Sequence, residues 1–168
     1  MADNLSVRRA TAGDKDLILQ MIREMATTER KADAVTITPQ ALDRYVFGRA
    51  PIAEVFLGFR DEDPVAYLMV QHRFSSYSGT PVLYVEDIFV RSRSQGQGLG
   101  KLMMAFTAAY ALQQNYAAMH WSVLDWNTPA VQFYERLGAS LESGRRYYDL
   151  TGDSLRKLAS QAPPLVGE

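Results

Sequence analysis

The chain has no cysteine in its 168 residues. That excludes disulfides, thiolate metal sites and a cysteine nucleophile. Histidine is nearly as scarce, with two residues. His72 and His120 stand far apart, without acidic or thiol ligand spacing around either, so no metal site is expected. An excess of one charge is missing as well: 18 Lys and Arg stand against 19 Asp and Glu. A net charge of −1 offers no global attraction for nucleic acid or an anionic membrane. Any anion site must therefore be built locally. No apolar run approaches the roughly 18 residues of a membrane span, and Met1–Ser6 lacks an apolar signal core, so a cytoplasmic protein is expected. No internal repeat or linker divides the chain. The 47% hydrophobic content is enough for one soluble domain with a proper core. Its expected span is 1–160, with 161–168, which contains a double proline, as a loose tail.

One stretch organises the rest. Tyr84-Val-Glu-Asp-Ile-Phe-Val90 is β-branched and aromatic enough for a buried strand. It runs into Arg91-Ser-Arg-Ser-Gln95-Gly-Gln-Gly-Leu-Gly-Lys101, with glycine at 96, 98 and 100. A helix follows, with Leu99, Leu102, Met103, Phe106 and Tyr110 at helical spacing. A strand passing through a glycine turn into a helix N-terminus presents unpaired N–H groups and a positive dipole end, which suits phosphate. Arg91, Arg93 and Lys101 are expected to add positive charge. The Walker spacing fails, because Gln95 stands where its first glycine belongs and Leu102 where Ser or Thr belongs. The dinucleotide fingerprint fails at Lys101, and no acidic residue follows near 116–120.

Around this corner the pattern predicts an α/β domain with a mixed sheet. Leu5–Arg9 is a short strand. Thr11–Asp14 forms a capping box before a helix with Leu17, Ile18, Met21, Ile22 and Met25 on its apolar face. Residues 27–33 form a polar loop. Thr38-Pro39 opens a second helix, stopped by Gly48. Strands follow over 53–59 and 65–74, then 119–124, 139–141 and 145–150. A helix opens at 125–129 and stops at Gly138, and 153–159 forms a last helical turn or two.

Glu86 and Asp87 interrupt the apolar strand. Successive strand side chains point to opposite faces, so both carboxylates cannot hide in one core. A buried carboxylate has a raised pKa, which suits a general base near neutral pH. The competing reading is an ion pair with Arg91 or Arg93, or an exposed edge. Tyr134, in Trp126-Asn-Thr-Pro-Ala-Val-Gln-Phe-Tyr-Glu-Arg136-Leu-Gly-Ala139, is by itself either a packed core tyrosine or a proton donor.

Gln95-Gly-x-Gly-Leu-Gly resembles the pyrophosphate loop of the GNAT N-acetyltransferases, and W-N-x-P-A-x-x-F-Y-x-R-x-G-A resembles their second signature block. Tyr84–Val90, Val123–Asn127, Phe47-Gly48 and Ile22–Ala26 followed by Glu29 are similar to the diamine (spermidine/spermine) acetyltransferases. The resemblance covers most of the chain and implies a mixed, mostly antiparallel twisted sheet flanked by helices, with a splayed central pair of parallel strands. It implies acetyl-CoA as cosubstrate, no metal, a small-molecule amine acceptor and a homodimer. Position by position, Glu86 matches the proton acceptor and Tyr134 the acid. Ile88, Phe89 and Val90 match the strand that holds the pantetheine. Gln95, Gly96, Gln97, Gly98, Leu99, Gly100 and Lys101 match the pyrophosphate loop. Asn127 and Arg136 match further CoA contacts, and Glu29, Glu86 and Asp87 match the acidic lining of the amine site. The chain departs from the polyamine pattern at two places. Its 75–81 loop has no acidic residue, and Arg30 and Lys31 follow Glu29. A peptide acceptor and a non-catalytic CoA-binding module remain as alternatives.

Overall fold

The computed structural model describes residues 5–164. The ends of the expected domain and tail, 1–4 and 165–168, lie outside the described residues. Contacts divide the chain into two compact units, one ending at Thr128 and the other beginning at Pro129.

The first unit is built on a sheet of β1 (Leu5–Arg9), β2 (Ala53–Arg60), β3 (Asp63–Ser75), β4 (Thr80–Val90) and β5 (Ala118–His120), ordered as numbered. β1 to β4 are antiparallel neighbours, and β5 joins β4 in parallel. Helices α1 (Lys15–Thr28) and α2 (Pro39–Tyr45) connect β1 to β2, and α3 (Leu99–Gln113) connects β4 to β5. Asp14 accepts from the Thr11 N–H at 2.7 Å and its hydroxyl at 2.9 Å, which is the expected cap ahead of α1. Thr38 caps α2 by accepting from the Ala41 N–H at 3.2 Å, with Pro39 in the first turn.

Two apolar layers sandwich the sheet. Ile18, Leu19 and Met21 of α1 and Leu42 of α2 pack with Val55, Leu57, Tyr67, Met69 and Phe89. Met103 and Ala111 of α3 pack the other face with Phe56, Ala66, Leu68, Val70, Leu83 and Val85. At Gly58 of β2 an added Cβ would sit 3.0 Å from both Ala66 Cβ and Met103 Sδ, so α3 approaches the sheet closely there.

β4 carries a bulge. Met69 pairs with Asp87 and Val70 with Val85, leaving Glu86 without a partner. The core layers show its effect on side-chain direction. Leu83 and Val85 share the α3 face with Ile88 and Val90, so the alternation of two breaks between 85 and 88. Glu86 and Asp87 therefore point to the same face, the one covered by α1. The expectation that adjacent carboxylates diverge is corrected by this one inserted residue.

β4 and β5 pair only at Val82/Ala118, Leu83/Met119 and Tyr84/His120. The chain leaves the ladder after His120, short of the expected 119–124. Beyond Tyr84, the side of β4 turned away from β3 has no strand partner among the described residues.

The second unit carries α4, which begins at the boundary (Thr128–Arg136), and α5 (Gly152–Ala159). Gly138, at φ +90°, stops α4, and the Ala139 N–H returns to the Tyr134 carbonyl at 3.1 Å. The strands expected over 139–141 and 145–150 are not formed. Strand propensity needs a ladder partner to act, and these residues have none among the described residues: Leu141 and Tyr147 are 90% and 87% exposed.

Candidate active site

The site in the first unit grows out of the β4 bulge. Glu86 is exposed, and its Oε2 accepts from Gln71 Nε2 at 3.1 Å. Asp87 is half-buried, and its Oδ2 accepts from the Tyr67 hydroxyl at 3.1 Å. Tyr67 pairs with Phe89 and Met69 with Asp87, so Tyr67 is the diagonal neighbour of Asp87 on one face. Asp87 is raised to about 6, first by burial and then by the charges of Glu86 and Glu29, with the Tyr67 hydrogen bond opposing them. Tyr67 is held well above its ordinary value, first by burial and then by the Asp87 charge, so its hydroxyl stays protonated and donates.

Glu29 closes α1, its N–H bonded to the Met25 carbonyl at 3.0 Å, and it comes near enough to act on Asp87. The fold thus gathers Glu29, Glu86 and Asp87 at one place. Arg30, next in sequence, places its guanidinium 4.8 Å over the Trp126 ring.

The glycine turn follows Val90. Gly96 and Gly98 have φ of +74° and +80°, a region open to glycine at little cost. A Cβ at Gly96 would meet nothing within 4 Å, so backbone conformation rather than packing requires glycine there. Gly98 caps α3, whose first helical bond runs from Leu102 to the Gly98 carbonyl at 3.2 Å. The N–H groups of Leu99, Gly100 and Lys101 precede that bond and are available to an anion. Gln95 turns its side chain back to donate to the Val90 carbonyl at 2.9 Å. Gln97 bridges the Arg60 guanidinium and the Arg93 carbonyl. Their side chains brace the turn, and the Gln95 N–H is itself bonded to the Ser92 carbonyl at 3.3 Å.

The arginines expected to add charge here are committed elsewhere. Arg91 is buried and forks onto Glu24 at 2.9 and 3.0 Å, with a third bond of 2.9 Å to the Pro64 carbonyl. Arg93 pairs with Asp63 at 2.5 Å. Lys101 is exposed and makes no ion pair among the described residues. These pairings also remove the reading of Glu86 and Asp87 as partners of Arg91 or Arg93.

Asn127 sits in the turn after β5, its N–H bonded to the Leu124 carbonyl at 2.8 Å. Tyr134 and Arg136 belong to α4 of the second unit. Tyr134 is partly buried with its ring 5.2 Å from that of Phe133, and Arg136 is exposed at the helix end.

A strand with a free flank, running through a positive-φ glycine turn into an open helix N-terminus, is a built anion corner. The model of the acetyltransferase (GNAT) family matches residues 19–139.

The chain belongs to the GNAT acetyltransferases.

Membership implies acetyl-CoA as the acyl donor of this N-acetyltransferase. The corner fits such a donor, since it offers free backbone N–H groups and Lys101 to a diphosphate. A thialysine N-ε-acetyltransferase of Sus scrofa is 32% identical over 92% of this chain and 97% of its own length. An L-ornithine N5-acetyltransferase of Arabidopsis thaliana is 33% identical over 64% of this chain and 48% of its own. Among solved structures, an integron cassette protein from the mobile metagenome of V. cholerae superposes with a TM-score of 0.75 at 24% identity, covering 94% of this chain and 99% of that one. At that identity the likeness concerns the fold.

Three contacts of this acetyltransferase are absent from the sequence reading: Tyr67 on Asp87, Gln71 on Glu86, and Glu24 on Arg91. The first two follow from β3/β4 register, which strand patterning alone does not supply. Among the described residues no helix is long and apolar enough to cross a membrane, and no group of three or more His, Asp or Glu is placed to hold a metal.

Proposed function

We propose that this enzyme moves the acetyl group of acetyl-CoA to a primary amine of a small molecule, diamine-like or amino-acid-like, by direct attack. The observation that carries this reading is the pairing of Glu86 and Asp87 on one face of β4, beside its free flank, with Glu29 near enough to act on Asp87. Three carboxylates suit an acceptor that arrives as an ammonium ion. The names of the pig and Arabidopsis relatives, which specify amino acids with a side-chain amine, support it.

An alkyl amine with a pKa near 10.4 is neutral in about one molecule in 2,500 at pH 7. Losing that proton costs on the order of 4–5 kcal/mol. Glu86, exposed and steadied by Gln71, takes it directly or through water. The neutral amine then attacks the thioester carbon. A backbone N–H near Phe89 or Val90 steadies the charge on the carbonyl oxygen, an effect of about 3 kcal/mol. Ile88, Phe89 and Val90 hold the pantetheine, the 95–101 turn holds the diphosphate, and Asn127 and Arg136 add CoA contacts. Tyr134, matched by the second signature block, gives its proton to the departing sulfur. Glu29 and Asp87 bind the ammonium. The family match over 19–139, which crosses the boundary at Thr128, supports reading 1–160 as one acetyltransferase domain.

The test is CoA release over a panel of thialysine, lysine, ornithine, diamines, polyamines and short peptides. Release with small cationic amines is expected, and Glu86→Gln and Tyr134→Phe should each lower kcat about 10²–10⁴-fold. Preference for peptides, or an unchanged rate in either variant, would overturn the corresponding assignment.

A further inference from the structure

We propose that Tyr67 is a positioning residue for the amine acceptor: its hydroxyl fixes Asp87 so that the opposite carboxylate oxygen, Oδ1, meets an ammonium group of the substrate. This deepens the acyl-transfer reading and rests on it for the identity of the cation.

Tyr67 has no exposed surface, and its ring packs among Met69, Phe89 and the α1 residues. Phenylalanine would fill that space as well. The hydroxyl is an added polar group in an apolar layer and is tolerated only when bonded. Its partner is Asp87, a residue of the site, rather than a backbone carbonyl. The bulge at Glu86 makes this contact possible, since it turns Asp87 onto the face of Tyr67.

One oxygen of Asp87 is thereby pinned. Oδ1 takes no hydrogen bond among the described residues, and no buried side-chain oxygen lacks a partner, so Oδ1 must reach solvent. The titratable groups facing Asp87 are Tyr67 from β3, Glu86 from its own strand and Glu29 from the end of α1. All are neutral or negative. No lysine or arginine among the described residues acts on it. The positive charge that completes this group has to arrive with a ligand.

The bond also decides when Asp87 is charged. Burial and the two glutamates push it up to about 6, and the Tyr67 hydroxyl is the one contact that lowers it. Removing that hydroxyl raises it further, so a higher pH is needed to ionise the carboxylate.

The experiment is Tyr67→Phe, assayed for kcat/KM with a cationic alkyl amine from pH 5.5 to 9, beside a 13C NMR titration of the Asp87 carboxyl. The acid limb and the NMR titration should both move up by about one pH unit. That movement lowers kcat/KM about fivefold at pH 6 and about twofold at pH 7, with no change above pH 8.5. The loss should fall on the amine KM, leaving kcat and the acetyl-CoA KM as they are. In an Asp87→Asn background Tyr67→Phe should add no pH-dependent effect. A loss equal at every pH, or an Asp87 titration that does not move, overturns the proposal. Should Tyr67→Phe fail to fold, an amine KM unchanged in Asp87→Asn overturns it equally. If the wild type transfers acetyl to no amine, the acyl-transfer reading fails, and the NMR titration alone still decides whether Tyr67 governs Asp87.

Discussion

Asp87 shows how far one side chain departs from what its type implies. A surface aspartate is fully ionised at neutral pH at no cost. This one sits under α1 against two glutamates, and its value rises from the usual 3.8 to about 6. The sign of the consequence follows from proton binding. Between pH 4 and 6 the folded chain holds a proton that the unfolded chain has released, so stability falls as pH rises through that window. Above pH 6 the full cost is present, on the order of 2–3 kcal/mol. Asp87→Asn should therefore stabilise the protein at pH 7.5 and lose most of that advantage at pH 4, as read by urea denaturation at the two pH values. A stabilisation equal at both would show that the carboxyl is not strained by ionisation. The presence of two acidic residues in the strand was legible in the sequence. Their shared face was not, because a bulge depends on which residue of β3 lies opposite.

Elements explain why the anion corner carries less charge than its sequence implies. Arg91 follows β4, and its fork on Glu24 ties α1, which leads into Glu29, to the strand that carries Glu86. Arg91→Ala removes that fork and should cost about 2–3 kcal/mol in denaturation while changing the acetyl-CoA KM less than twofold. Lys101→Ala should do the reverse, raising the acetyl-CoA KM several-fold with little effect on stability. Equal KM effects would return Arg91 to the phosphate site. At the turn, Gly96→Ala meets no neighbour but keeps an unfavourable φ of +74°. It should cost about 1 kcal/mol and weaken acetyl-CoA binding through the displaced loop. The strand–turn–helix unit was readable from glycine spacing and helical periodicity, both of which are local. The use of Arg91 was not, since Glu24 is 67 positions away, with α2 and three strands between them.

For the whole molecule, the family follows from blocks that are far apart in sequence, and it brings acetyl-CoA with it. Saturating acetyl-CoA at 100 times its Kd should stabilise the native protein by about 2.7 kcal/mol, while ATP and NAD leave Tm unchanged. A shift with ATP equal to that with acetyl-CoA would remove the diphosphate corner from its assigned ligand. Short-range pattern was sufficient for the α/β class, the helix caps at Thr11 and Thr38 and the glycine turn. These depend on residues within a turn or two of one another, and the chain determines them without help. Tertiary structure decided the rest: which carboxylates share a face, which arginines are already neutralised, and that 139–150, though apolar and aromatic in part, pairs with no strand. Each of these is set by a partner distant in sequence, and a side chain's charge and direction are not its own until that partner is in place.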